Sequence, residues 1–352
     1  MRKLLFLLAG LFLLFGCAMP WDQQPAPVAN QTVQPVQVAN NSTANATNST
    51  GNESVVNESL IITPPVNPDQ FAGIVPRNIS TNISGGQFRI NDLPGAGLNI
   101  YVINDGYADS ILVNKGEFNM LIDSGSSQQT LAFLQQLGVT NLNVVVATRD
   151  DPGAIDGLPD VLDAYPVGEF WDNGVQASPN LATMLPASTN YADLMAKVKG
   201  MNIAIKYPQA GDRLAVSGMD IDVLNPQTPR LNGNPDVDAI VLKVSFNGFC
   251  ALLLNPTVQE RETAFLPLGQ DLQCSVITYF KHGEGRPTPS LLLNEYPPQD
   301  AIISVGPNGD DLPSQTTLTR LSLQNIRVWR TDLNGTIRVS SDGNTYQVAG
   351  VK

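Results

Sequence analysis

Histidine is the residue that this chain most clearly lacks, since His282 is the only one among 352 residues. Cysteine is almost as scarce, with three in the whole chain. Protein zinc centres draw mainly on neutral imidazole and thiolate ligands. A zinc site built from several histidines is therefore excluded by composition alone.

Positive charge is also in short supply, with 20 Lys and Arg against 32 Asp and Glu and a net charge of −12. Such a protein repels phosphate backbones unless it carries a local basic patch. The basic clusters are short and lie within 281–286 and 320–330. Nucleic acid is therefore not an expected partner.

The N-terminus carries a secretion signal. Arg2 and Lys3 precede an apolar run over 4–15, and Gly16 and Cys17 follow it. This order is typical of a signal peptide over 1–17 whose cysteine becomes lipidated. The alternative is an uncleaved anchor, although the run is shorter than the ~20 residues that span a bilayer. Both place the chain on the extracytoplasmic face of a membrane, held there by a lipid or an anchor.

Residues 18–90 have the composition of a disordered stalk. Pro, Gln, Asn, Ser, Thr and Val dominate, and such a segment buries too little apolar surface to order itself. Asn-x-Ser/Thr sequons predict a glycosylated stalk, and the alternative is a plain polar linker. Either would space a globular domain from the membrane. The sequons begin at Asn30, Asn40, Asn41, Asn45, Asn48, Asn52, Asn57, Asn78 and Asn82.

The remaining residues, 91–352, predict one mixed α/β domain with two packed sheets and helices outside. Ser127 and Ser314 are predicted N-caps and Gly138 a C-cap. The predicted helices are 127–137, 158–165, 191–199, 259–268, 290–296 and 314–321. The predicted strands are 98–103, 110–113, 119–122, 143–147, 203–207, 213–216, 220–223, 240–246, 250–254, 276–280, 301–305, 327–331, 335–340 and 346–348.

Cys250 and Cys274 each open a predicted strand, and a predicted helix joins the two strands. A β-α-β unit places such strands parallel and often side by side. We expect a disulfide in the oxidising compartment that the signal peptide implies. The alternative is a pair of buried thiols.

A series of motifs in fixed order resembles the metallo-β-lactamase superfamily, and within it the ComEC-type extracytoplasmic domain of competence proteins. The resemblance implies a four-layer αββα sandwich, and it extends from about Leu98 to Val348. The segments that carry it are 101–112 (YVINDGYADSIL), 118–125 (FNMLIDSG), 148–158, 234–244, 252–257, 277–283 (ITYFKHG), 301–306 (AIISVG), 310–313 and 328–339 (VWRTDLNGTIRV).

The metal ligands of this family are replaced throughout. Its T-H-x-H-x-D-H-x-G-G-L pattern aligns with 148–158, where Arg149, Asp151, Gly153 and Ala154 stand at the ligand positions. Pro256, Lys281 and Leu312 replace further ligands. We expect Asp123 to bind local backbone amides and His282 to hydrogen-bond a neighbour. The retained frame is Asp109, Asp123, Gly125, Gly157, His282, Gly283 and Pro313.

Aspartates on two loops leave two interpretations open. Arg149 could pair with them and fill the place of the metal. Alternatively, Asp150, Asp151, His282 and Asp310 could form a rebuilt site for Ca²⁺, Mg²⁺ or Mn²⁺. The predicted cleft residues are Arg149, Asp150, Asp151, Asp156, His282, Asp310 and Asp311.

The functional expectation is a surface-anchored binding or structural domain without zinc, catalysis or a cofactor. Its partner would be a surface protein or a glycan. The alternative is a metal-dependent hydrolase or phosphoesterase that uses the rebuilt site. A role in DNA uptake follows from the family resemblance alone, and the acidic charge counts against it.

Overall fold

A computed structural model describes residues 97–176, 191–228, 236–254, 272–279, 281–285 and 290–351. The signal peptide with Cys17, the stalk with all of its sequons, the predicted helix 259–268 and Pro256 lie outside the described residues. Within the described ranges, no helix has the length and apolar character needed to cross a membrane.

The first sheet has eight strands in the order β15-β14-β1-β2-β3-β4-β5-β6. Strands β3 to β6 pair in parallel, and the other pairs are antiparallel. The strands are β1 Leu98–Val102, β2 Ile111–Lys115, β3 Phe118–Ile122, β4 Leu142–Ala147, β5 Val167–Asp172, β6 Ala204–Lys206, β14 Thr336–Ser341 and β15 Tyr346–Val351.

The second sheet has seven strands in the order β13-β12-β11-β10-β9-β8-β7. Strands β10 to β13 pair in parallel, and β7 to β10 are antiparallel. The strands are β7 Arg213–Val216, β8 Met219–Asn225, β9 Val241–Phe246, β10 Phe249–Leu253, β11 Val276–Tyr279, β12 Asp300–Ile303 and β13 Arg327–Arg330.

Helices cover the outer face of each sheet. They are α1 Ser127–Leu137, α2 Pro152–Ile155, α3 Leu158–Ala164, α4 Tyr191–Gly200, α5 Ser290–Glu295, α6 Gln315–Leu323 and α7 Thr331–Asn334. Helix α1 ends at Gly138, whose φ of 77° is the left-handed conformation that glycine adopts without cost.

Three buried apolar layers hold these elements together, and strand β1 shows how one strand serves two of them. Leu98 and Ile100 point into the layer between the two sheets, whereas Tyr101 points into the layer under α1, α3 and α4. A third layer lies between the second sheet and helices α5 and α6. Because side chains alternate across a strand, the strand is buried on both faces. The predicted αββα sandwich is confirmed.

Strand β5 is the main element that the sequence does not predict. Its polar residues interrupt the apolar run that is typical of a buried strand, but each is accommodated by close packing. Buried Glu169 accepts a hydrogen bond from the Trp171 indole at 3.1 Å. A Cβ on Gly168 would lie 2.7 Å from the Asn143 carbonyl oxygen, so only glycine allows β4 to approach here.

Two local predictions have different outcomes. Ser314 is the N-cap of α6, and its hydroxyl accepts a hydrogen bond from the amide of Thr317. The prediction that Ser127 caps α1 is wrong, because Ser126 occupies the extended N-cap position and Ser127 is the first helical residue.

The two remaining cysteines lie at neighbouring parallel strands. Cys250 is in β10 and Cys274 stands just before β11. Their Cα atoms are 4.9 Å apart, and a disulfide joins them.

Candidate functional site

A cleft of about 630 Å³ opens where loops from both sheets meet. One side is formed by the segment after β4 and the other by segments that follow β11 and β12. The lining residues are Tyr107, Arg149, Asp151, Pro152, Gly153, Asp236, Lys281, His282, Glu284, Asp310 and Leu312.

The guanidinium of Arg149 lies at the base of the cleft, and only 5% of the side chain is exposed. It faces four carboxylates, and we call these five residues the Arg149 cluster. Nη2 lies 3.1 Å from Asp109 and 3.4 Å from Asp151. Nη1 lies 3.9 Å from Asp123, and Nε lies 3.7 Å from Asp236.

The ends of β3 and β4 fix the arginine in this place. Asp123 follows β3 in a left-handed conformation with φ of 60°. Its carboxylate accepts hydrogen bonds from the amide of Thr148 at 2.8 Å and from its hydroxyl at 2.6 Å. The expectation that Asp123 binds local amides is therefore wrong, because its partner lies 25 residues away, just after the neighbouring strand β4. This tie sets the direction in which Arg149 leaves β4.

Backbone contacts bring the other carboxylates to the same point. The amide of Asp109 donates to the carbonyl oxygen of Gly153 at 2.8 Å. A Cβ on Gly125 would lie 2.1 Å from that same oxygen, which explains why the retained glycine is needed. The amide of Ile240 donates to the Thr148 carbonyl at 3.0 Å and holds the segment that begins at Asp236.

Lys281 adds a second cation on the opposite side of the cleft. Its Nζ lies 2.9 Å from Asp236, and its side chain is 28% exposed. Asp236 is therefore shared between Lys281 and Arg149. Both cations stand where the family resemblance places histidine ligands.

His282 connects the two walls rather than facing carboxylates. Its Nδ1 lies 2.8 Å from the carbonyl oxygen of Ser304. The hydroxyl of Ser304 in turn donates to the carbonyl of Ala108. The imidazole packs on the ring of Tyr107, with centroids 4.1 Å apart and an angle of 36° between the planes. The expected hydrogen bond to a neighbour is present.

Electrostatics in this region are dominated by buried carboxyls. Burial alone would lower the pKa of Arg149, but the charges of Asp151, Asp109, Asp123 and Asp236 raise it above its usual value. The guanidinium therefore stays charged at every physiological pH.

Burial raises the pKa of Asp123 to about 7, although Arg149 and the hydrogen bonds from Thr148 oppose the rise. Burial also raises the pKa of nearby Asp105 to about 7, against the hydrogen bond from the amide of Ser126. On the rim, burial and then the charge and hydrogen bond of Asp310 raise the pKa of the Tyr107 hydroxyl.

The predicted cleft residues separate into two groups. Arg149, Asp151, His282 and Asp310 line the cleft, whereas Asp150, Asp156 and Asp311 are not among its lining residues. Asp150 is buried, and its charge contributes to the raised pKa of Tyr191. Asp156 and Asp311 are exposed on the surface. Of the alternative metal set, Asp151, His282 and Asp310 thus line the same cleft, and Asp150 is not among its lining residues.

Several residues of the cleft were not among the predicted ones: Tyr107, Asp109, Asp236, Lys281 and Glu284. A signal existed for two of them, since Asp109 belongs to the retained frame and Lys281 stands at a lost ligand position. Asp236 and Tyr107 carry no such signal, because their proximity depends on loops that approach only in the folded chain.

The residues present do not fit the metal centre that the family resemblance implies. A permanent cation occupies the middle of the carboxylates, and a second cation stands beside it. Within the described part of the chain, no three His, Cys, Asp or Glu side chains are placed to hold a metal ion. The geometry shows an ion cluster at the base of an open cleft.

Comparison with known proteins agrees with the family resemblance. The chain is 26% identical over 210 residues to ComE operon protein 3 of Bacillus subtilis (strain 168), which covers 59% of this chain and 26% of that protein. The chain thus spans about a quarter of the length of this relative. The sequence-based resemblance to the ComEC-type domain is confirmed. No family model matches the chain.

Solved structures with the metallo-β-lactamase fold are also similar. The fold protein YhfI from Bacillus subtilis is 10% identical, with a TM-score of 0.43, and the alignment covers 69% of this chain and 100% of YhfI. Tm1679, described as a metal-dependent hydrolase of the β-lactamase superfamily, is 10% identical with a TM-score of 0.47, and the alignment covers 69% of this chain and all of Tm1679.

Proposed function

We propose that this chain is a surface-anchored binding domain in which a metallo-β-lactamase fold works without a metal. The observation that carries the proposal is the position of Arg149 among four carboxylates, at the place of a family histidine ligand. A guanidinium cannot release its proton at physiological pH and cannot ligate a metal. Any divalent ion entering this place would have to displace a buried charge of the same sign.

The cleft that remains has the size of small-molecule sites, which run from roughly 300 to 1,000 Å³. Its volume of about 630 Å³ lies within that range. It lacks a recognisable nucleophile paired with a base among the described lining residues, since His282 is already engaged by Ser304 and Tyr107. Binding is thus the activity that these groups support best.

The anchor belongs to the same proposal. A lipid on Cys17 and the sequon-rich segment 18–90 would hold the domain away from the membrane on its extracytoplasmic side. The acidic net charge of −12 favours a protein or glycan partner over nucleic acid. Cell fractionation of a Cys17→Ser variant tests the lipid: release of the variant into the medium supports it, and unchanged membrane association contradicts the lipid in favour of an uncleaved anchor over 4–15.

Elemental analysis of the purified native chain tests the absence of a metal. We expect well below one zinc, calcium, magnesium or manganese atom per chain, and no change in melting temperature on adding a chelator or these ions. Stoichiometric metal that is lost in Asp151→Ala would overturn the proposal. The matched control is Asp160→Ala, which removes an exposed aspartate on α3. Stoichiometric metal that Asp151→Ala removes and Asp160→Ala keeps would instead support a hydrolase or phosphoesterase with oxygen ligands.

A further inference from the structure

The rim of the cleft carries an aromatic side chain, Tyr107, that takes no part in the Arg149 cluster. The ring of Tyr107 is 42% exposed, and its other face is backed by the imidazole of His282. The loop that carries Tyr107 is held firmly from below, since the carbonyl of Ala108 accepts a hydrogen bond from Ser304 at 2.8 Å. An exposed ring held in one orientation is a platform on which a flat apolar surface can pack.

Groups of opposite hydrogen-bonding character lie beside this platform. Glu284, Asp310 and Asp151 line the cleft and offer acceptor oxygens. Across the cleft, the ammonium of Lys281 is a donor with three N–H groups, and 28% of its side chain is exposed. A ligand that fits must therefore donate to carboxylates and accept from this ammonium, and it must also present an apolar face.

Two other ligand classes fit less well. A phosphate or carboxylate ligand would meet more acidic than basic side chains, since the lining holds Asp151, Asp236, Glu284 and Asp310 against Arg149 and Lys281. A simple amine would satisfy the carboxylates, but it has no acceptor for Lys281 and no flat face for Tyr107. Hydroxyl groups both donate and accept, and a sugar ring has hydroxyls at its edge and C–H groups on its face.

We propose that the cleft binds a neutral sugar ring of a glycan, with the ring packed on Tyr107 and its hydroxyls bonded to the polar wall. This inference rests on the proposed binding function and names its ligand class. Sugar rings held by one aromatic platform and a few hydrogen bonds bind weakly, so we expect dissociation constants of about 0.01 to 1 mM.

Saturation-transfer NMR and calorimetry with the native chain test the proposal, using cellotetraose, maltotetraose and chitotetraose as probes. We expect at least one of them to bind, with little change between low and high salt because the ligand is neutral. Tyr107→Ala should weaken that binding by about tenfold, which is the typical contribution of an aromatic contact. The matched control is Tyr207→Ala, which removes another tyrosine, 51% exposed and outside the cleft.

The inference is overturned if none of the three oligosaccharides binds at about 10 mM, or if Tyr107→Ala binds as well as the native chain. Binding of spermidine that depends on Tyr107 and falls with salt, without sugar binding, would also overturn it. The metal content of the same preparation separates the two proposals. A metal-free chain that binds no sugar contradicts only this inference, whereas stoichiometric metal contradicts the proposed function itself.

Discussion

Two clusters of buried charge in this molecule have opposite ratios of donor to acceptor groups. In the Arg149 cluster, one guanidinium serves four carboxylates. In what we call the Asp300 cluster, one carboxylate serves three donor side chains, those of Arg327, Trp329 and Tyr346. The first has more acceptors than its cation can bind, and the second has a donor for each bond that its carboxylate can accept.

The Asp300 cluster has the features of a structural tie. The carboxylate is fully buried and accepts bonds of 2.7 to 2.9 Å from the guanidinium, the indole and the phenol. Tyr346 comes from the first sheet and Asp300 from the second, so the cluster fastens the two sheets together. A buried charge that is fully hydrogen-bonded in this way holds its neighbours in one arrangement.

The Arg149 cluster is less completely hydrogen-bonded. Two of its guanidinium nitrogens have no hydrogen-bond partner among the described residues, while four carboxylates share one buried cation. Selection for stability alone would favour apolar side chains here, since burying charges costs free energy even when they are paired. This contrast is what the proposed function expects, in which Arg149 supplies the positive charge that the carboxylates require.

Replacing Arg149 should have the largest effect, because it leaves several buried carboxylates without a cation. We expect Arg149→Met to lower the free energy of unfolding by about 3 to 5 kcal/mol, measured by urea unfolding. The matched control is Arg213→Met, which removes a half-exposed arginine paired with Asp220 and Asp222. Asp222 is buried, but Arg213 is half-exposed to solvent, so we expect a clearly smaller loss than for Arg149→Met. If Arg149→Met does not fold, Arg149→Lys should fold with a smaller loss, because it keeps the charge.

The Asp300 cluster should lose less when its centre is neutralised. We expect Asp300→Asn to cost about 2 to 3 kcal/mol, in the range of a hydrogen bond to a charged group. The loss is limited because Arg327 is 65% exposed and can turn to water. The same urea unfolding experiment measures it. A larger loss for Asp300→Asn than for Arg149→Met would reverse the comparison, since it would make the second cluster the more dependent on its charge.

The sequence predicts the strands and helices that carry both clusters better than it predicts the side chains that form them. Continuous apolar segments such as β4 identify strands buried on both faces, and Gly138 marks the end of α1. The order of motifs supports the fold and the loss of the histidine ligands. Strand β5 escapes prediction because Gly168, Glu169 and Asp172 break the apolar pattern, and only neighbouring strands make those residues acceptable.

Which side chains line the cleft depends on contacts between distant parts of the chain. Asp109 lies 40 residues from Arg149, and no local pattern brings them together. Asp150 and Asp151 are neighbours in sequence, yet only Asp151 lines the cleft, because adjacent side chains in an extended segment point in opposite directions. Sequence reasoning thus finds the acidic loops but cannot choose among their aspartates.

The smallest expected effect is on the pH dependence of stability. It comes from Asp105, a buried carboxyl near the Arg149 cluster. Burial raises the pKa of Asp105 from 3.8 to about 7. Between these values the folded chain holds a proton that the unfolded chain has released, so stability from this group falls as pH rises and levels off above about 7.

Urea unfolding of the native chain and of Asp105→Asn at a series of pH values isolates this group. We expect the variant to gain about 2 kcal/mol relative to the native chain between pH 5 and pH 8, because asparagine carries no charge to bury. Parallel profiles for the two proteins would show that Asp105 is ionised in the folded chain throughout this range. The burial of an ionised Asp105 would then be offset by its hydrogen bond from the amide of Ser126, as the burial of Asp300 is offset by its own donors, and the contrast between the two regions would narrow.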